Sequence, residues 1–240
     1  MTDSQTPLTE AQKIAQEFKQ FAYIVSHDLS TPVRGMVEFS KLLKAEAQEA
    51  LSADAKEYLT LIVESGEKLQ GMMVGLLDYS RLNTMSKPVA KVNCNSVLSD
   101  CQVVLKDKIK ASKAKLDIAT LPTVTADAEQ LMQLFLMLLD NALKFQPEGN
   151  PPQISVSAEK KDAEWVFTIR DSGIGVEEQF YTRIFQPFQR LHTESEYPGT
   201  GMGLALAKKI VDRHGGQIWV HSTHDQGTAF CFTLPCHEEK

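Results

Sequence analysis

The chain has 240 residues, 42% of them hydrophobic, which is enough for one large domain or two small ones. Its net charge of -6, with mixed signs and no basic run, argues against nucleic acid or an anionic membrane as a partner. The longest purely apolar run, Leu134 to Leu139, is far short of the roughly 20 residues that span a bilayer, and the polar start Met1-Thr2-Asp3-Ser4-Gln5 lacks an apolar signal core. A cytoplasmic protein without membrane insertion is expected. Cys94, Cys101, Cys231 and Cys236 show no C-x-x-C spacing and read as reduced thiols.

Residues 8 to about 84 read as two long helices. Thr9 and Gln12 have the spacing of a capping box. At about 100° per residue, Ile14, Phe18, Phe21, Val25, Leu29, Met36, Phe39 and Leu43 fall in one stripe. The first helix fades over Lys44 to Ala50, and Ser52 and Asp54 offer start signals for a second. Leu59, Ile62, Leu69, Met73 and Leu76 form its stripe, while Gly66, Gly71 and Gly75 weaken its interior. A lone hairpin cannot surround two such stripes, but two copies can, as a four-helix bundle. A homodimer through this half is expected. The alternative is that the stripe packs on the second half of the same chain.

One residue of the first helix stands apart. His27, in Ser26-His27-Asp28-Leu29-Ser30-Thr31-Pro32, comes out roughly 160° from the centre of the apolar stripe. Thr31 lies one turn on, on the same open face. An exposed imidazole near neutral pH is a competent nucleophile. By itself it is also an ordinary surface histidine.

From Asn83 to Lys91 the periodicity stops, which reads as a linker around Pro88. Short strands and helices then alternate. A helix is expected over Asn95 to Lys113, a strand over Leu116 to Ile118, and a helix from an Asp127 cap to Phe145. Gln153 to Ala158 and Trp165 to Arg170 alternate as paired strands do. Met202 to His214 reads as a helix stopped by Gly215-Gly216, and Ile218 to His221 with Thr228 to Leu234 as a last strand pair. The pattern suggests an α+β sandwich with helices on one face of a sheet.

Two glycine-rich turns and one asparagine point to a nucleotide. Asp171-Ser172-Gly173-Ile174-Gly175 follows a strand, and Gly199-Thr200-Gly201-Met202-Gly203 opens a helix. Such turns let the backbone approach a ligand and present amide hydrogens to phosphate. Asn141, amid helical apolar residues, precedes Lys144 by three positions on one helix face. An amide oxygen for Mg²⁺ and an ammonium for phosphate suit each other there. The remaining histidines, His192, His214, His221, His224 and His237, show no ligand-like grouping.

In order, these segments resemble the boxes of the sensor histidine kinases of two-component signalling. Ser26 to Pro32 is similar to the H box, Asp140 to Phe145 to the N box, and Asp171 to Gly175 to the G1 box. Phe185-Gln186-Pro187-Phe188-Gln189-Arg190 is similar to the F box and Gly199 to Leu204 to the G2 box. The resemblance runs from about residue 9 to 236. It implies a multidomain α and α+β chain: an antiparallel helical hairpin, dimeric as a four-helix bundle, over 1-84; a linker over 85-92; and over 93-240 an α/β sandwich of the GHKL ATPase type shared with type II topoisomerases, Hsp90 and mismatch-repair ATPases.

The resemblance also implies roles. His27 accepts a phosphoryl group from ATP, with Asp28 orienting the imidazole and taking its proton. Thr31 positions water for dephosphorylating a partner. Asn141 holds Mg²⁺, Lys144 and Arg190 lie near the triphosphate, and Asp171 accepts the adenine amino group beside Gly173 and Gly175. Gly199, Thr200, Gly201, Gly203 and Leu204 flank the phosphates, and the stretch from Gln186 to Gly199 is a lid. The partner is a response regulator, which receives the phosphoryl group on an aspartate and docks near Val33, Met36 and Met72. The linker near Pro88 flexes to bring His27 to ATP. Input is expected in trans from a separate sensor protein, unless the sequence is an excised catalytic core. One departure stands out: Met137 occupies the place where the family's N box usually has a further asparagine. Two rivals persist, a nucleotide-binding scaffold, which Met137 favours, and a chaperone- or topoisomerase-like ATPase, which the H box disfavours.

Overall fold

The computed structural model describes residues 10–47, 49–82, 87–147, 149–193, 196–222 and 227–236. They form two compact units that divide between Arg81 and Leu82. Among the described residues no helix is long and apolar enough to cross a membrane.

The first unit is a hairpin of two helices, α1 (Glu10–Glu46) and α2 (Ala53–Arg81). Thr9, the expected cap of α1, lies outside the described residues. Ser52 caps α2, its Oγ accepting the Ala55 amide hydrogen at 3.2 Å. Lys44 Nζ donates to Thr60 Oγ1 at 2.8 Å and Lys41 pairs with Glu67 at 2.8 Å, which fixes the helices as antiparallel. Both partners of the ion pair are about half exposed, so it contributes little stability.

The hairpin buries only part of the two expected stripes: Leu59 and Met73 of α2 are buried, while the side chains of Ile14, Phe18, Phe21 and Val25 of α1 lie outside the described atoms. Among the described side chains of α1 it is Ala22, Ser26, Val33 and Val37 that are buried. Leu29, Met36, Phe39 and Leu43 remain 44%, 57%, 73% and 50% exposed. The two helices approach closely at Val37. A Cβ on Gly66 of α2 would lie 2.3 Å from Val37 Cγ2. The glycine that lowers helix propensity is what lets Val37 of α1 close on the backbone of α2.

The second unit begins earlier than the expected linker allows. β1 (Ala90–Asn93) pairs antiparallel with β3 (Thr123–Ala126), with Val92 opposite Val124. Lys87 also belongs here, its backbone N–H donating to Asp127 Oδ2 at 2.8 Å. The helix expected over Asn95 to Lys113 is two helices, α3 (Cys94–Val104) and α4 (Lys106–Ser112). The break falls at Leu105, whose side chain is buried and whose ψ of 5° leaves the helical range.

The main sheet has the order β2 (Lys115–Ile118), β4 (Gln153–Lys161), β5 (Glu164–Asp171), β7 (Thr228–Pro235), β6 (Ile218–Ser222). Only β2 and β4 pair in parallel; the other neighbours are antiparallel. α5 (Ala128–Lys144) packs on this sheet beside α3 and α6 (Gly203–Arg213). Asp127 caps α5, accepting from Glu129 at 3.1 Å and Gln130 at 3.3 Å. Leu131, Leu134, Phe135, Leu138, Leu139 and Ala142 recur at helical spacing and are buried. Phe135 meets Phe167 and Phe232 edge-on at 5.9 and 5.8 Å, while those two rings stack at 4.8 Å. This aromatic cluster fixes α5 against the sheet, so the last turn of α5 and the end of β5 are held side by side.

Candidate nucleotide site and phosphoacceptor helix

A cavity of about 300 Å³ opens between the last turn of α5, the end of β5 and the start of α6. Asn141, Lys144, Asp171, Gly175, Arg190, Thr200, Gly201, Gly203 and Leu204, all singled out in the sequence, line it. Ile174, Val176, Ile184 and Phe230 give it an apolar wall. A flat aromatic base against such a wall, with a few convergent polar groups, is the usual make-up of a small-molecule site.

Asp171 is buried at the end of β5. Its Oδ1 accepts the N–H of Gly173 at 2.8 Å and that of Thr228 at 3.1 Å. Burial pushes its carboxyl up to about 6, and the two amide donors and Arg170 pull the other way. Among the described residues Oδ2 accepts no hydrogen bond, so it is the acceptor left for a ligand amino group. Gly173 is not in the cavity lining but behind it. A Cβ there would lie 2.1 Å from the Phe145 carbonyl oxygen, which accepts the Ile174 N–H at 3.1 Å. That contact joins the end of α5 to the loop after β5.

At the other wall, burial lowers the pKa of Lys144, with the charges of Arg190 and Lys108 acting in the same direction and Asp140 opposing. Lys144 Nζ sits 4.2 Å from the centre of the Phe145 ring. Asp140 also lines the cavity and is paired with Lys108. The Asn141 amide and an acidic neighbour are suitable oxygen donors for Mg²⁺ bound chiefly through phosphates. Among the described residues no group of three His, Cys, Asp or Glu could hold a metal ion by itself.

Arg190 differs in part from expectation. It lines the cavity, but Nη1 donates to the Gly199 carbonyl at 2.7 Å and Nη2 to the Tyr197 carbonyl at 2.8 Å. It thus fastens the segment expected as a lid. Sequence reasoning missed the rings beside it. Tyr197 packs at 5.1 Å from Phe145 and 5.2 Å from His192, and its hydroxyl donates to the Gln146 carbonyl at 3.1 Å. His192, read as bland, is part of this wall. The one available signal was Phe145, directly after Lys144. His214 also does work: its Nε2 accepts the Asp127 N–H at 3.1 Å.

In the first unit, His27, Asp28 and Thr31 all lie in α1, with Asp28 and Thr31 exposed. The His27 ring lies outside the described atoms. Pro32 is inside the helix, so its nitrogen cannot donate to the Asp28 carbonyl. Ser30 Oγ donates to the Ser26 carbonyl, and Ser26 Oγ is buried without a partner among the described residues.

A helical hairpin followed by an α/β sandwich, whose cavity joins an apolar wall to convergent polar groups, defines a two-part protein with a small-molecule site. Residues 19–84 match the His Kinase A (phospho-acceptor) domain, and residues 126–238 match the histidine kinase-, DNA gyrase B- and HSP90-like ATPase. The chain is 43% identical to cyanobacterial phytochrome A of Nostoc, over 91% of this chain and 28% of that protein. It is 37% identical to the phytochrome-like protein Cph1 of Synechocystis, over 95% of this chain and 32% of that protein. The chain therefore spans about a third of the length of these curated relatives. Full-length ShkA, solved with AMPPNP, superposes with a TM-score of 0.67 at 26% identity, covering 92% of this chain and 46% of that one. The chain belongs to the sensor histidine kinases, carrying both their phosphoacceptor and their GHKL-type ATPase domains.

Proposed function

We propose that the protein transfers the γ-phosphoryl group of ATP to His27 and then to an aspartate of a response regulator. The observation that carries this reading is the convergence on one cavity of Asn141, Lys144, Asp171, Arg190 and the Gly199 to Leu204 turn, drawn from four distant segments. A ring nitrogen of His27 attacks the γ-phosphorus in line. The bond from that phosphorus to the bridging oxygen breaks, and ADP leaves. Asp28 accepts the imidazole proton. In the cavity, Asp171 Oδ2 takes the adenine amino hydrogen, and Lys144 and the amide hydrogens of Thr200 to Leu204 face the phosphates. Mg²⁺, held through the Asn141 amide oxygen and the phosphates, would offset charge on the leaving group.

Several coarser features accompany this reading. The first unit, to Arg81, acts as the dimerisation and phosphoacceptor part and the second, from Leu82, as the ATPase part. The exposed Leu29, Met36, Phe39 and Leu43 of α1 suit a second copy of the hairpin. A supply of ATP places the reaction in the cytoplasm. Thr31, exposed one turn after His27, suits the reverse step in which water removes phosphate from the regulator. A Thr31→Ala change should slow that dephosphorylation and spare His27 labelling.

The test is incubation of the protein with γ-labelled ATP. Acid-labile, base-stable label is expected in wild type and none in His27→Ala. Label that survives in His27→Ala, or steady ATP turnover with no phosphoprotein, overturns the reading.

A further inference from the structure

Leu82 is the first residue of the second unit, and its side chain is buried. Its carbonyl oxygen receives two side-chain donors. Arg213 Nη1 donates at 2.9 Å from the end of α6, and Gln130 Nε2 at 3.2 Å from the first turn of α5. These two helix ends are themselves tied. The Asp127 N–H donates to His214 Nε2 at 3.1 Å, and His214 Nδ1 pairs with the Ile210 carbonyl at 2.8 Å. With Nε2 accepting, Nδ1 is the nitrogen that donates to the Ile210 carbonyl. A few residues on, Lys87 gives its backbone N–H to Asp127 Oδ2 at 2.8 Å and its ammonium to Glu129. Leu82 and Lys87 are thus both fastened to one rigid corner. The flexing expected near Pro88 does not fit this, since Lys87 is anchored and β1 follows at Ala90.

We propose that Arg213 and Gln130 restrain phosphoryl transfer through the backbone of Leu82. Their joint hold on the Leu82 carbonyl limits the free chain between the hairpin and the ATPase unit, and releasing it speeds the meeting of His27 with nucleotide. This rests on the histidine kinase reading above. With the clasp closed, the joint is the single connection from Arg81 to Leu82. With it open, Leu82 is released, and the next fastened residue is Lys87. The cross-helix pairs Lys41–Glu67 and Lys44–Thr60 put position 27 of α1 roughly level with residue 78 of α2. α2 therefore ends only about one turn, ~5 Å, beyond the phosphoacceptor level. Asn141 lies ~17 Å along α5 from Gln130. Holding the Leu82 carbonyl leaves less free chain for the meeting of His27 with nucleotide. Neither Arg213 nor Gln130 is among the residues lining the nucleotide cavity.

The experiment uses the whole chain as wild type, Arg213→Ala, Gln130→Leu, the double variant and Arg213→Lys. Initial rates of His27 labelling are measured at saturating ATP, together with KM for ATP. Hydrogen–deuterium exchange is followed in the peptide containing Leu82 and Lys87 and in β5 and β7. Each single variant should label about three- to tenfold faster with KM unchanged, the population shift expected for one lost hydrogen bond. The double variant should fall short of the product of the singles, because both donors act on one oxygen. Arg213→Lys should return towards wild type. Exchange should rise around Leu82 and stay unchanged in β5 and β7, which separates release from unfolding. A labelled wild type with variants no faster, or with no rise in exchange, overturns the clasp alone. A wild type that takes no label overturns the kinase reading and this proposal with it.

Discussion

Asp171 takes the Gly173 amide hydrogen on Oδ1 at 2.8 Å, and the same oxygen takes the Thr228 N–H at 3.1 Å. The loop after β5 and the start of β7 therefore converge on a single carboxylate oxygen. Its other oxygen keeps full acceptor capacity for a ligand.

The carboxyl is held at about 6 mainly by burial, above the ordinary 3.8. The folded chain thus binds this proton more tightly than the unfolded chain. Stability from this group falls as pH rises from about 4 to about 6, by at most about 3 kcal/mol, and is level above. Under the proposed role of Asp171 as acceptor of the adenine amino group, nucleotide binding runs the opposite way, because the ionised carboxylate is the better acceptor. Affinity for a fluorescent ATP analogue should drop as pH falls through about 6. Asp171→Asn should weaken binding about 10- to 100-fold at pH 7.5 and abolish that pH dependence. Calorimetric titration from pH 5 to 8 checks both.

Gly173 tests the wall behind the cavity. A Cβ would lie 2.1 Å from the Phe145 carbonyl and 2.8 Å from Asp171 Oδ1. Neither backbone oxygen nor buried carboxylate can withdraw cheaply. Gly173→Ala should cost about 2–3 kcal/mol of stability in the second unit and raise KM for ATP. A thermal melt followed with and without nucleotide separates the two effects. Loss of binding with an unchanged melting temperature would show that the loop moves without strain.

The sequence revealed most clearly what short-range chemistry decides. The Asp127 cap of α5 was legible because a capping carboxylate directly precedes an uninterrupted 3–4 apolar pattern. The cavity residues were legible because each sits in a compact motif. β1 was not, since Ala90–Asn93 buries only Val92 and pairs with residues some thirty positions on. The buried positions Ala22 and Ser26 of the α1 seam did not register because they are too small to mark an apolar stripe, and the pairing of Val37 with Gly66 did not because a glycine carries no hydrophobic signal. The cluster of Phe145, His192 and Tyr197 depends on how the segment after Phe188 folds back, which no local pattern encodes.

The residues excluded from that seam make the dimer reading testable. Met36 and Phe39 are 57% and 73% exposed on α1. Burying each against a second copy would contribute about 1.5–3 kcal/mol. Met36→Glu with Phe39→Glu should therefore raise the dimer dissociation constant at least about 100-fold without unfolding either unit. Sedimentation equilibrium reads the constant, and circular dichroism confirms the helices. A dimer of unchanged affinity would place the self-association surface elsewhere.

Met137 occupies a position on α5 one turn before Asn141, and both line the cavity. A thioether there offers no hard oxygen donor for a divalent cation and only a weak acceptor for a hydroxyl. An asparagine at the same position would point its amide along the face that carries Asn141, since residues four apart are neighbours on a helix. Met137 is half-buried rather than sealed in the core, so the exchange leaves no large apolar void. Met137→Asn should therefore tighten Mg²⁺-dependent binding of an ATP analogue about three- to tenfold, leave binding in EDTA unchanged, and lower the Mg²⁺ concentration that gives half-maximal His27 labelling. If binding strengthens equally with and without the metal, the new amide contacts nucleotide instead, and position 137 is a nucleotide contact and not a cation contact.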